Sequence, residues 1–256
     1  MKAVILAGGL GTRLSEETHL KPKPMVEIGG KPILWHIMKI FSYYGINDFI
    51  ICTGYKGEVI KNYFQNYPLH QSDITFDLKN NSYVTHQNLS EDWKVTVINT
   101  GENTMTGGRL LRIRDYIDSD FCFTYGDGLT DVNINKLIEF HKQSSGSATL
   151  TSVLTPERYG LIESNSVGKI TRFREKPKNS TNRINGGYFV LSKRVFDYIE
   201  NDETIWEKEP LMSLASDNQL FAYNHDGFWY AMDKLSDKLH LDNLWNKNLA
   251  PWKVWG

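Results

Sequence analysis

The stretch Lys2-Ala3-Val4-Ile5-Leu6-Ala7-Gly8-Gly9-Leu10-Gly11-Thr12-Arg13-Leu14 decides the fold. Residues 2–7 read as a continuous, largely apolar run, the pattern of a strand buried on both faces of a parallel sheet. The run stops at three closely spaced glycines. Glycine lets the backbone take positive φ and approach a ligand closely, and successive N–H groups in such a loop can cradle an anion. Moving outward, residues 32–44 read as a helix, with Pro32 suited to its first turn and Gly45 just past its end. Residues 49–54 read as a strand and 58–64 as a helix. Strand, loop, helix, strand, helix is the order of a parallel α/β sheet.

Further along, residues 68–93 are polar and aromatic with little periodicity, an excursion or hairpin. Strands are expected at 94–99, 121–125, 148–154, 168–174, 187–191 and 221–223. Helices are expected at 109–117, 134–143, 193–199, 209–216 and 236–245. A tail with Trp252 and Trp255 follows, packed on the domain or on a partner subunit. No repeat, linker or low-complexity segment divides the 256 residues, so a single domain over 1–256 is the simplest organisation.

Hydrophobic content is 40% and charged content 23%, which excludes a disordered chain. The formal net charge of −1 offers no bulk field for nucleic acid or an anionic membrane, so neither is an expected partner. Any polyanion must be held by a local site. Cys52 and Cys122 lie in apolar runs and read as buried thiols, and no Cys/His spacing suggests zinc. Residues 1–7 lack the length and cleavage site of a signal peptide. No apolar run approaches the roughly 20 residues of a membrane span. The expected location is the cytoplasm.

Two familiar phosphate loops fail at the glycines. There is no GxxxxGK[ST]. The dinucleotide pattern GxGxxG lacks its last glycine at Leu14, and Pro22 and Pro24 break the helix it needs. What does follow is Lys21-Pro22-Lys23-Pro24-Met25, a cation pinned between prolines. Arg13 offers a planar fork for phosphate oxygens. Asp127 ends the strand of Phe123-Thr124-Tyr125 between Gly126 and Gly128, where open α/β sheets place ligands. Asp233 closes Trp229-Tyr230-Ala231-Met232-Asp233. Phosphoryl-type transfer needs a divalent cation to offset charge, and magnesium takes one or two carboxylates with phosphate oxygens and water.

Gly8-Gly9-Leu10-Gly11-Thr12-Arg13-Leu14 with Lys23 resembles the signature of the sugar-1-phosphate nucleotidylyltransferases, the nucleoside-diphosphate-sugar pyrophosphorylases. The resemblance covers nearly the whole chain. It implies a Rossmann-like α/β fold with a mixed, mainly parallel sheet flanked by helices, of the nucleotide-diphospho-sugar transferase type. Sugar-binding and oligomerisation elements would then fall in roughly 155–256. Arg13, Lys23 and Asp127 become catalytic, and Asp127 with Asp233 would hold Mg2+. Leu6, Ala7, Gly8, Gly9, Leu10, Gly11, Thr12 and Gly126 would contact the nucleotide, and Thr104, Gly108 and Arg109 would read the base. The sugar phosphate would meet Tyr159, Gly160, Glu175, Lys176, Asn185 and Gly186. Glu207 resembles the family's sugar carboxylate, with Glu209 competing for that role.

Several stretches, among them residues 104–109, 123–128, 206–212 and 251–255, point within the family to members that use CTP and glucose 1-phosphate. Spacing does not choose the base, and UTP, dTTP or GTP remain alternatives. The sequence departs from those members at Lys234, Ser236 and Tyr230-Ala231, beside Asp233. Relatives assemble as homo-oligomers, so a hexamer or tetramer is expected. A glycosyltransferase would usually carry Asp-x-Asp, whereas Asp127-Gly128-Leu129-Thr130-Asp131 does not fit. A non-catalytic nucleotide sensor would lack one of Arg13, Lys23 and Asp127.

Overall fold

In a computed structural model, which describes residues 1–9, 11, 14, 18–154, 161–164, 170–174 and 183–256, the apolar run forms β1 (Lys2–Ala7). A 3-10 turn (Lys23–Met25) and the short ribbon of β2 (Glu27–Ile28) and β3 (Lys31–Pro32) lead into α1 (Ile33–Tyr43). Then come β4 (Asp48–Thr53), α2 (Gly57–His70), the hairpin of β5 (Ser72–Asp77) and β6 (Ser82–Asn88), and β7 (Lys94–Asn99). The middle of the chain forms α3 (Thr106–Leu111), β8 (Phe121–Tyr125), β9 (Gly128–Thr130), α4 (Ile134–Ser144) and β10 (Ala148–Leu154). The ribbon of β11 (Leu161–Ser164) and β12 (Ile170–Arg174) precedes β13 (Arg183–Leu191). Last are α5 (Glu209–Ser216), β14 (Leu220–His225), β15 (Trp229–Ala231) and α6 (Leu235–Asn246).

Seven strands form one sheet in the order β14-β10-β13-β8-β1-β4-β7. β1 pairs in parallel with β4 and β8, β4 with β7, and β10 with β14. β13 runs antiparallel to both of its neighbours. The mixed, mainly parallel sheet is therefore the one expected. Side chains alternate across it, as strand geometry requires. Ala3, Ile5 and Ala7 enter the core under α1, and Val4 and Leu6 enter the core that holds Leu110 and Trp206. Both thiols are fully buried, and burial pushes each up to about 12.

Several elements differ from the periodicity reading. The helix expected at 109–117 is split into α3 and a 3-10 turn (Arg114–Tyr116), because the N–H of Ile113 bonds three residues back to Leu110. The helix expected at 193–199 is likewise a 3-10 segment (Lys193–Tyr198), opened by the N–H of Val195 bonding Ser192. The 3-10 and α forms share an apolar spacing of three to four residues, so pattern alone does not separate them. α2 runs through Pro68 to His70, beyond the expected end, and the stretch after it is a hairpin.

The aromatic tail packs on this domain. Trp252 is fully buried, and its indole N–H donates at 3.4 Å to Nδ1 of His36 on α1. His36 Nε2 lies 2.9 Å from the carbonyl of Ile28, so the ring is neutral with its proton on Nε2. Burial lowers this imidazole to about 4. Its contribution to stability is complete above the unfolded value of 6.5 and is lost as pH falls toward 4. Between pH 6.5 and 4 the wild type should lose about 3 kcal/mol more unfolding free energy than a His36→Gln variant, read by urea denaturation. Equal pH slopes in the two proteins would mean that His36 is not held neutral.

Candidate active site

The sheet order reverses beside β1, with β4 on one flank and β8 on the other. Open α/β sheets bind ligands at the carboxyl ends of strands at such a reversal. A cavity of about 590 Å³ opens there, walled by Gly8, Gly9 and Gly11, by Lys23 and Pro24, by the 102–106 loop with Arg109, and by Gly126 and Asp127. Glycine loop, lysine turn and the 102–106 loop thus converge although they are distant in sequence.

Arg109 shapes this cavity from behind. Its guanidinium is buried and donates to the carbonyls of Thr53 (3.1 Å), Gly101 (2.6 Å), Gly8 (3.0 Å) and Glu102 (3.1 Å) and to Oγ1 of Thr100 (2.9 Å). It ties the glycine loop to the turns after β4 and β7. A β-carbon at Gly8 would meet this guanidinium at 2.2 Å, so the close approach requires glycine. The planar five-donor fork suits this role, which an ammonium cannot copy. Gly108 is packed against Asp202 and Thr204, with its N–H on the Thr204 carbonyl at 3.2 Å, and does not line the cavity.

The two aspartates meet at the mouth. β15 pairs with β9, placing Ala231 opposite Gly128, and the N–H of Met232 donates at 2.9 Å to the carbonyl of Asp127. This short ladder sets Asp233 beside Asp127. Lys23 Nζ donates to both carboxylates, at 2.7 Å to Asp127 and 3.0 Å to Asp233. Lys23 itself is 9% exposed on its 3-10 turn between Pro22 and Pro24. Buried Asp237 braces the second carboxylate from below, accepting the N–H groups of Asp233 (2.9 Å) and Lys234 (3.0 Å) and the Tyr230 hydroxyl (3.1 Å). Two carboxylates converging on one point fit a hard divalent cation. Among the described residues no group of three His, Cys, Asp or Glu side chains forms, so the remaining positions would fall to phosphate oxygens and water.

A second cavity of about 320 Å³ adjoins the first and shares Tyr125 and Asp127 with it. Asn185, Gly186, Trp229 and Asp233 are among its other lining residues. Trp229 Nε1 donates to the Gly186 carbonyl at 2.6 Å, and the Asn185 amide oxygen accepts the Gly187 N–H at 2.8 Å. Glu207 lies just before α5. Its carboxylate accepts from the Tyr125 hydroxyl and, at 2.7 Å, from Oγ1 of Thr106. Glu209, in the first turn of α5, is exposed.

The structure therefore brings Leu6, Ala7, Gly8, Gly9, Gly11, Lys23, Thr104, Arg109, Gly126 and Asp127 to one cavity, and Asn185, Gly186 and Asp233 to the other. Leu10, Thr12, Arg13, Tyr159, Gly160, Glu175 and Lys176 lie outside the described residues. Sequence reasoning passed over Tyr125, Trp229 and Asp237. Tyr125 carried a usable signal, since it is an aromatic residue immediately before Gly126-Asp127 at a strand end.

The nucleotidyl transferase family model matches residues 2–237. The glucose-1-phosphate cytidylyltransferases of Salmonella typhimurium and Salmonella typhi are each 57% identical over 257 residues, covering 100% of both chains. Among solved structures, HddC from Yersinia pseudotuberculosis superposes with a TM-score of 0.69 at 25% identity, covering 95% of this chain and 99% of its own.

Arg109→Lys should cost roughly 2 to 4 kcal/mol of stability, because an ammonium cannot replace all the guanidinium's bonds to four carbonyls and a hydroxyl. Chemical denaturation reads this directly. A variant as stable as the wild type would show that those carbonyls find other partners.

Proposed function

This chain belongs to the nucleotidyl transferase family, and on that premise we propose that it transfers a cytidylyl group from CTP to α-D-glucose 1-phosphate. The products are CDP-glucose and pyrophosphate. The observation that carries the reading is the meeting of two cavities at Asp127, the larger behind a glycine loop and the smaller lined by Asn185 and Trp229. The full-length likeness to enzymes bearing that activity in their names selects the substrates.

In this reading the triphosphate lies along the backbone amides of the glycine loop, with Arg13 on its phosphate oxygens. The base occupies the wall made by Thr104 and its neighbours, whose shape Arg109 maintains. The sugar phosphate is anchored by Lys176. Glu175, Asn185, Gly186 and Glu207, with Tyr159 and Gly160, surround the sugar. The attacking phosphate oxygen is already anionic, so no general base is required. It adds to the α-phosphorus as pyrophosphate leaves in line. Lys23 supplies a fixed positive charge beside the transferred phosphoryl group. Catalysis is then positioning plus charge neutralisation.

The family works with a divalent metal, which we assign as Mg2+ held by Asp127 and Asp233. When bound, it offsets negative charge on the reacting phosphates. No helix among the described residues is long and apolar enough to cross a membrane, and we place the enzyme in the cytoplasm. We also read it as a homo-oligomer, a hexamer or a tetramer. The β5–β6 hairpin supports this, because it exposes Phe76, Tyr83 and Val84 by more than half. Exposed apolar patches of this kind mark contact surfaces.

With glucose 1-phosphate and Mg2+, pyrophosphate release should be fastest with CTP when CTP, UTP, dTTP, ATP and GTP are compared. A different leading triphosphate would overturn the base assignment, and silence with all five would overturn the reaction. Asp127→Asn should abolish turnover while its circular dichroism spectrum stays that of the wild type. Wild-type activity in that variant would remove Asp127 from the reaction.

A further inference from the structure

Tyr125 ends β8, one residue before Gly126-Asp127, and its ring is part of the wall of both cavities. The ring is locked in place. Phe123 and Phe189 meet it edge-on, with centroids 5.5 Å and 6.2 Å away. On the sugar side Gly187 holds φ at +76°, and a β-carbon there would come within 2.7 Å of the Tyr125 ring.

The hydroxyl of Tyr125 faces two polar groups. It donates to Oε1 of Glu207, and the Asn185 side chain also bonds it. Thr106 Oγ1 donates to the other Glu207 oxygen at 2.7 Å and accepts the Trp206 N–H at 2.9 Å. The Glu207 carboxylate, exposed on the segment before α5, is therefore held by one hydroxyl from β8 and one from the start of α3. Burial first, and then the Glu207 charge, push the Tyr125 phenol far up, so it stays a donor. A carboxylate accepts at about four positions, so two hydroxyls leave acceptor capacity for other donors.

We propose that Tyr125 is a positioning residue for the sugar half of the reaction: together with Thr106 it aims the Glu207 carboxylate so that it accepts sugar hydroxyls. This rests on the reading of Glu207 as a sugar contact. Since neither hydroxyl touches the transferred phosphoryl group in this arrangement, removing one changes sugar capture and not the chemical step.

Steady-state kinetics of Tyr125→Phe, Thr106→Val, Glu207→Gln and the Tyr125→Phe/Glu207→Gln double variant test it. Losing a hydrogen bond to a charged group should raise KM for glucose 1-phosphate about tenfold in Tyr125→Phe, with kcat and KM for CTP within about twofold. Thr106→Val should shift the same constant in the same direction. The double variant should be no worse than Glu207→Gln alone, because one carboxylate mediates both losses. If Glu207→Gln raises KM for glucose 1-phosphate while Tyr125→Phe does not, or if the two effects multiply, the positioning role is overturned and the sugar contact survives. If Glu207→Gln leaves that constant unchanged, the sugar contact itself fails and the proposal falls with it.

Discussion

Two carboxylates held side by side repel, and the arrangement of this site follows from how that repulsion is managed. Asp127 and Asp233 both lie within hydrogen-bond reach of one ammonium, that of Lys23. An ammonium within reach of both carboxylates offsets their mutual repulsion. Each member of the trio is fixed by a separate device. Prolines on either side hold the lysine turn, the end of β8 holds Asp127, and the β9–β15 ladder carries Asp233. Asp237 anchors the backbone beneath Asp233 by accepting two consecutive N–H groups. Removing the ammonium would leave an uncompensated acidic pair, which is more costly than never having built it.

The sheet supplies the platform for this trio. Parallel strands leave their carboxyl ends on one edge, and the reversal at β1 opens a crevice there. Arg109 converts that crevice into a shaped cavity. Its buried guanidinium gathers carbonyls from the end of β4 and from the turns after β1 and β7. One side chain therefore bonds four backbone acceptors from separate segments at once. All its bonds are to the protein itself, although its place in the chain reads equally well as a direct ligand contact.

The second cavity is built on aromatic packing. Tyr125, Phe123, Phe189 and Trp206 form a connected ring cluster under β8 and β13. Edge-to-face contacts of this kind orient their members as well as burying area. Tyr125 brings a hydroxyl out of that cluster to the junction of the two cavities, so a core-forming strand also organises a polar site. On the other face of the sheet, the tail closes over α1 through Trp252 and neutral His36. The C-terminal aromatics are thus part of the domain's core.

Local pattern determined much of this protein. The apolar run and glycines of β1, α1 with Pro32 before it and Gly45 after it, the buried thiols, and Asp127 at a strand end are all properties of short segments, where burial and backbone freedom act within a few residues. The lysine between prolines was equally legible. Pattern could not separate 3-10 turns from α-helix at residues 114–116 and 193–198, because both bury a residue every three or four positions. Nor could it pair β9 with β15, join the Arg109 fork to four distant carbonyls, or join Tyr125 to Glu207. Those outcomes depend on which distant groups arrive within about 3 Å of one another, the range in which a hydrogen bond forms. Sequence thus determined which residues were available for chemistry, and only the tertiary structure decided which of them face each other.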